Sequence, residues 1–196
     1  AASVLDVETA LRLLKCRSEL MASAANGSMI AVLGFDRKQL EDLVNAKDGV
    51  VIANDNSSSQ VVLSGITESV ESVAKELKCK RSIPLQVSGA FHSPLMEEAS
   101  TAFIKELDKV TFNDAISPVI SNADPKPTTN GSLLKEKLKK QMTTGVRWRE
   151  TMETLVAEGV QTLVEIGPGN VLGGLAKRSM KGIAITQIAS ESDLGH

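Results

Sequence analysis

The order of apolar runs between residues 27 and 87 constrains this chain more than any other feature of its sequence. Ser28 to Gly34 (SMIAVLG) is a short run bounded by small residues, which reads as a strand. Asp36 to Ala46 reads as a helix, with Asp36 as its cap, because an aspartate at this place accepts from the free amides of a first turn. Gly49 to Ala53 (GVVIA) is a second strand, and the polar run Asn54 to Ser59 after it reads as a turn. Gln60 to Ser64 is a third strand, Thr67 caps a helix to about Leu77, and Arg81 to Val87 closes the unit. Pro84 confines that fourth strand to an edge, since proline cannot donate to a central ladder. The order β-α-β-β-α-β is that of the ferredoxin-like split unit. It selects no activity by itself. Its strands lack the aromatic residues on which an RNA-binding version stacks bases.

The flanking segments follow another pattern. Before the unit, Asp6 caps a helix in which Leu11, Leu14 and Leu20 recur at helical spacing through Met21. The chain opens without Met and runs almost at once into this helix, so it is expected to be a piece of a longer chain. After residue 88, helices fit Leu95 to Leu107, Leu133 to Met142, Arg149 to Glu158 and Val171 to Met180. Strands fit Pro118 to Ser121, Thr162 to Ile166 and Ile183 to Ile188, with a loop over Asp124 to Gly131. That alternation predicts an α/β fold with a mainly parallel sheet.

Composition removes several classes. A formal net charge of −2 over 196 residues is unlike the concentrated basic surface of a nucleic-acid binder, and 3% aromatics with no Tyr leaves no stacking platform. No apolar run approaches the roughly 20 residues of a membrane span. Cys16 and Cys79 lie far apart and suit a reduced, cytoplasmic setting. The only histidines are His92 and His196, so no histidine cluster is available to a metal.

Few residues remain for chemistry. His92, between a strand and a helix, is the single candidate general base in the body of the chain; its alternative is a structural histidine. Gly167-Pro168-Gly169-Asn170 is either a cradle for an anion or, the favoured reading, a structural tight turn. Arg17 has the planar fork that grips carboxylates, although a helical arginine also serves as a solvated side chain. The lysine-rich stretch Lys135 to Lys140 is the outer face of a helix or a docking face for an acidic partner. No G-x-S-x-G nucleophile elbow occurs.

Taken together, the separated motifs resemble the malonyl-CoA:acyl carrier protein transacylase family. Leu14 to Met21 (LKCRSELM) is similar to its R-G-x-x-M segment, with Ser18 for Gly. Asn54 to Val62 (NDNSSSQVV) resembles N-x-N-S-P-G-Q-x-V, with Ser58 and Ser59 for Pro-Gly. Gly89 to Ser93 (GAFHS) matches the catalytic-histidine motif. Gln141 to Trp148 (QMTTGVRW) is similar to Q-L-x-x-P-V-R-W, with Gly145 for Pro, and Glu165 to Leu172 matches E-x-G-P-G-x-x-L.

The resemblance implies an α/β-hydrolase-like core (residues 1–26 and 88–196) into which a ferredoxin-like small subdomain (27–87) is inserted, with the active site between them. His92 would be the base, oriented by the backbone carbonyl of Gln141. Arg17 would bind the free carboxylate of a malonyl group, and Asn56 and Phe91 would be further substrate-binding positions, Phe91 leaving little room for an α-methyl branch. The implied substrates are malonyl-CoA and the phosphopantetheine thiol of acyl carrier protein, with no cofactor or metal. A monomer is expected, in the cytoplasm or the plastid stroma. The family's G-H-S-x-G serine and its oxyanion-hole loop should lie upstream of Ala1, so these 196 residues alone are expected to be inactive. The alternatives are an acyltransferase domain of a multidomain polyketide or fatty-acid synthase, and a non-catalytic carrier-protein-binding module.

Overall fold

The computed structural model describes residues 2–24 and 26–194. Helix α1 (Val7–Ser23) begins at Asp6, whose carboxylate accepts from the Thr9 amide at 2.7 Å. Strand β1 (Ser28–Phe35) follows, then α2 (Arg37–Asn45), β2 (Val50–Ser57), β3 (Gln60–Gly65), α3 (Thr67–Glu76) and β4 (Cys79–Pro84). The four strands form one antiparallel sheet in the order β2-β3-β1-β4. Burial on both faces explains why β1 is a continuous apolar run rather than an alternating one. Ile30 and Val32 pack with Leu40, Leu63 and Val70 beneath α2 and α3. Met29 and Ala31 point the other way, where Ala53, Val62 and Phe91 cover them.

Three local expectations need correction here. The polar run 54–59 is a turn only at Ser58 and Ser59, and β2 continues to Ser57. Register shifts between Ile52 and Asn54 and between Asp55 and Ser57 absorb the polar residues as bulges. Asn54 also bridges in parallel to Val146, which gives the outer side of β2 a backbone partner. Thr67 is the first residue of α3 rather than its cap; Ile66 holds that place without a side-chain bond. Strand β4 runs from Cys79 and ends at Pro84, on the sheet edge that its proline requires.

The second half holds α4 (Glu97–Asp108), β5 (Val119–Ser121), β6 (Asp124–Thr128), α5 (Gly131–Lys140), α6 (Trp148–Ala157), β7 (Thr162–Ile166), α7 (Val171–Ser179) and β8 (Ala184–Ile188). Residues 124–128, expected as loop, are β6 and pair with β5 in an antiparallel hairpin; Pro125 and Pro127 disguise the strand. The mainly parallel sheet is not formed by the described residues. Their strands divide among three sheets, and only β7 with β8 is a parallel pair of strands. Strand β7 packs Leu163 against Met152 and Leu175 but leaves Val164 and Ile166 50% and 78% exposed. A separate core joins α1 to α4 through Leu13, Met21, Phe103 and Leu107, and includes Met142 beyond α5. The segment 85–93 therefore crosses between the sheet and this helical core.

Candidate active site

The turn that carries His92 is held from both sides. Ala90 donates its amide to the Asn26 carbonyl at 2.9 Å. The fully buried Ser93 donates its hydroxyl to the Ala90 carbonyl at 2.6 Å and accepts from the Leu95 amide at 3.3 Å. Between these anchors His92 has φ +57°. A side chain in this left-handed region costs about 1–2 kcal/mol and persists only where the surroundings fix it.

The imidazole Nδ1 lies 2.9 Å from the carbonyl oxygen of Gln141, the C-cap residue of α5. A carbonyl only accepts, so the neutral ring carries its hydrogen on Nδ1 and keeps the Nε2 lone pair free. Burial lowers the pKa of His92 below the ordinary histidine value. The charge of Arg17 acts in the same direction, against the backbone of Gln141 and Thr144, which favours the protonated ring. Burial thus favours the neutral ring.

Arg17 reaches the same cavity from α1. Leu13 and Leu14 precede it by four and three residues, so all three face one side of the helix, and they line a hollow of about 440 Å³ together with His92, Gln141 and Asn122. The Nε of Arg17 is buried without a hydrogen-bond partner, and burial lowers the pKa of the guanidinium. An N–H donor of a half-buried guanidinium left without a partner is a group that a planar anion would satisfy, pairing with the fork through two parallel bonds.

The structure thus brings Arg17, His92 and Gln141 together. Phe91 does not line this cavity; it is half-buried and wedged between the face of the sheet and the α1–α4 core. Asn56 lies half-buried on β2, also outside the cavity lining. The Gly167-Pro168-Gly169 turn leads into α7, where the amides of Leu172 and Gly173 are taken by the carboxylate of Glu165 at 3.0 and 2.8 Å. The anion at this helix start is a side chain of the protein itself. In the lysine-rich stretch, Lys137 pairs with Asp124, and Lys135 and Lys139 both reach Asp108.

Two residues of this region escape sequence reasoning. Asn122 sits at the tip of the β5–β6 hairpin, with its carbonyl accepting from the Arg147 amide at 2.9 Å. Asp55 binds Arg37 at 2.8 Å and Arg149 at 3.0 Å, tying β2 to α2 and α6. Asp55 and Arg149 are 94 residues apart, so nothing local signals the pair. Among the described residues no three His, Cys, Asp or Glu side chains group to hold a metal, and no helix is long and apolar enough to cross a membrane.

A mixed α/β chain thus sets an imidazole, the carbonyl facing its Nδ1 and a half-buried guanidinium around one hollow, groups of the kind a group-transfer site uses. The chain belongs to the acyl transferase domain family, whose model matches residues 1–192. It is 49% identical over 194 residues to the malonyl CoA-acyl carrier protein transacylase of Synechocystis sp., covering 99% of this chain and 66% of that one. The crystal structure of the Synechocystis malonyl-CoA:ACP transacylase superposes with a TM-score of 0.95, over 98% of this chain and 66% of that chain. A malonyl-transacylase in complex with its type II PKS acyl-carrier protein superposes with a TM-score of 0.87 at 32% identity, over 98% of this chain and 65% of that chain. The chain spans between 60% and 66% of the length of the curated relatives it matches.

Proposed function

We propose that the protein to which this chain belongs transfers the malonyl group of malonyl-CoA to the phosphopantetheine thiol of acyl carrier protein, for fatty-acid synthesis. The carrying observation is the placement of a neutral His92, its Nδ1 engaged by Gln141, in one hollow with the unpartnered guanidinium of Arg17. The relatives named as malonyl transacylases, and the neighbour bound to its carrier protein, support this reading over a synthase domain or a binding module.

In this reading residues 27–87 are a ferredoxin-like small subdomain set into an α/β-hydrolase-like core. The nucleophile is a serine outside these 196 residues, which contain no G-x-S-x-G. Nε2 of His92 takes the serine proton as the oxygen attacks the thioester carbonyl of malonyl-CoA. The tetrahedral intermediate collapses, the carbon–sulfur bond breaks, and His92 returns the proton to the departing thiolate of coenzyme A. The carrier's thiol then loses its proton to Nε2 and attacks the malonyl-serine ester, and the serine recovers the proton. No cofactor or metal takes part. Arg17 holds the malonyl carboxylate through both halves, while Phe91 and Asn56, which lie outside the lining of the hollow, make no contact with the substrate there. The enzyme acts as a monomer in the cytoplasm or the plastid stroma.

Arg17 gives the test. An acetyl group leaves the guanidinium unpaired, so the site should reject it. In the complete protein, Arg17→Ala is expected to lower kcat/KM for malonyl-CoA by roughly 10²-fold or more while leaving the slow transfer of acetyl unchanged or raised. Equal losses on both acyl groups would contradict the role given to Arg17.

A further inference from the structure

The polar residues that line the hollow are Arg17, His92, Gln141 and Asn122. Two of them are turned to each other, since Nδ1 of His92 meets the Gln141 carbonyl. Nε2 of a neutral ring offers only a lone pair, which attracts no anion. Asn122 is placed differently. It stands at the tip of the β5–β6 hairpin, where Ser121 pairs with Asp124 and the Ser121 hydroxyl accepts from the Ala123 amide at 3.3 Å. Its own carbonyl accepts from the Arg147 amide at 2.9 Å, and Arg147 is fixed in turn by Glu150, to which its Nε donates at 2.8 Å. The backbone of Asn122 is thus pinned. Its half-buried carboxamide takes no partner among the described residues and belongs to the wall of the hollow that Arg17 enters.

A carboxylate offers about four lone-pair positions on its two oxygens. The fork of Arg17 takes two of them. The others, withdrawn from water beside Leu5, Leu13, Phe103 and Leu138, need a further donor. We infer that Asn122 supplies it: its side-chain N–H donates to the malonyl carboxylate that Arg17 holds, which makes Asn122 a second residue selecting malonyl over acetyl. The inference rests on the function proposed above and extends its acyl-binding site to the β5–β6 hairpin. An uncharged donor suits this place. The charge of Arg17 already disfavours the protonated His92 ring, and a second cation would add to that effect, whereas an amide adds a hydrogen bond without adding charge.

The test compares kcat/KM for malonyl-CoA with that for acetyl-CoA in the complete protein. Asn122→Ala is expected to lower the malonyl-to-acetyl ratio about 10-fold, since one hydrogen bond to a charged group is lost. The loss should fall on KM for malonyl-CoA with kcat nearly unchanged, because the carboxylate is held alike in the ground and transition states. Asn122→Asp keeps the shape of the side chain but replaces its donor by an anion, which repels the malonyl carboxylate and occupies Arg17. The ratio should then fall about 100-fold. Ser121→Ala is the control: it removes the hydroxyl that holds the Ala123 amide, so it loosens the hairpin without touching the lining and keeps the ratio. An unchanged ratio in either Asn122 variant, including equal losses on both acyl groups, overturns the inference. Where Asn122→Ala does not fold, the isosteric Asn122→Asp decides alone. Absence of malonyl transfer by the unaltered protein would instead remove the proposed function, and the inference with it.

Discussion

At His92 the backbone and the ring are under separate constraints. The left-handed φ of +57° raises the energy of the turn, and the buried, neutral ring is held by a single backbone acceptor. Because burial lowers the folded-state pKa, the unfolded chain binds the proton more readily than the folded one. Stability from this group is therefore fully present above the ordinary histidine pKa of about 6.5, and is lost as pH falls from there through the lowered folded value. Asparagine tolerates the left-handed region better than most residues, so His92→Asn removes the titration with little new strain. Urea unfolding at pH 7.5 and 5.5 should show the wild-type chain losing more stability on acidification than His92→Asn, while the carboxylates common to both cancel. Equal losses would contradict a buried neutral imidazole. At this scale the sequence is legible only where partners are near in the chain. Asp6 and Asp36 each accept from an amide three residues on, and both caps are read from spacing alone. The bond from His92 to Gln141 spans 49 residues, and only the resemblance to a family points to it.

Among the elements, helices α1, α2 and α5 to α7 and strands β1, β3, β7 and β8 follow from periodicity because each buries a stripe or face of its own. Strand β2 outruns its apolar part because its polar end finds partners in Val146 and Arg149, which local sequence cannot reveal. The β5–β6 hairpin is invisible for the opposite reason: two prolines suppress the strand signal although Val119 and Thr128 still pair. The start of α7 was legible as a turn but not as a site already filled. Glu165 on β7 neutralises the positive end of α7 and satisfies two of its free amides. Glu165→Ala should lower stability by about 1 kcal/mol in denaturant titrations. Hydrogen exchange should quicken at Leu172 and Gly173 in particular. Unchanged exchange at these two amides would show that the carboxylate does not hold them.

The described residues pack as a sheet covered by helices and a helical core that encloses the hollow of Arg17 and His92. The β2-β3-β1-β4 sheet buries one face under α2 and α3 and turns the other toward Phe91 and the helical core. The α1–α4 core brings Arg17 to the hollow, and the chain leaving α5 brings Gln141. An imidazole, the carbonyl facing its Nδ1 and a guanidinium are thus brought together from three distant parts of the sequence, the groups to which the proposed function gives the roles of base, orienting carbonyl and carboxylate clamp. The central claim is that this hollow serves acyl transfer through a malonyl-serine. It is tested most directly by weighing the complete protein intact after incubation with malonyl-CoA. The account predicts a gain of one malonyl group, absent in His92→Ala over the same brief incubation and discharged on adding acyl carrier protein. A complete protein that gains no mass, or whose adduct survives the carrier protein, would contradict it.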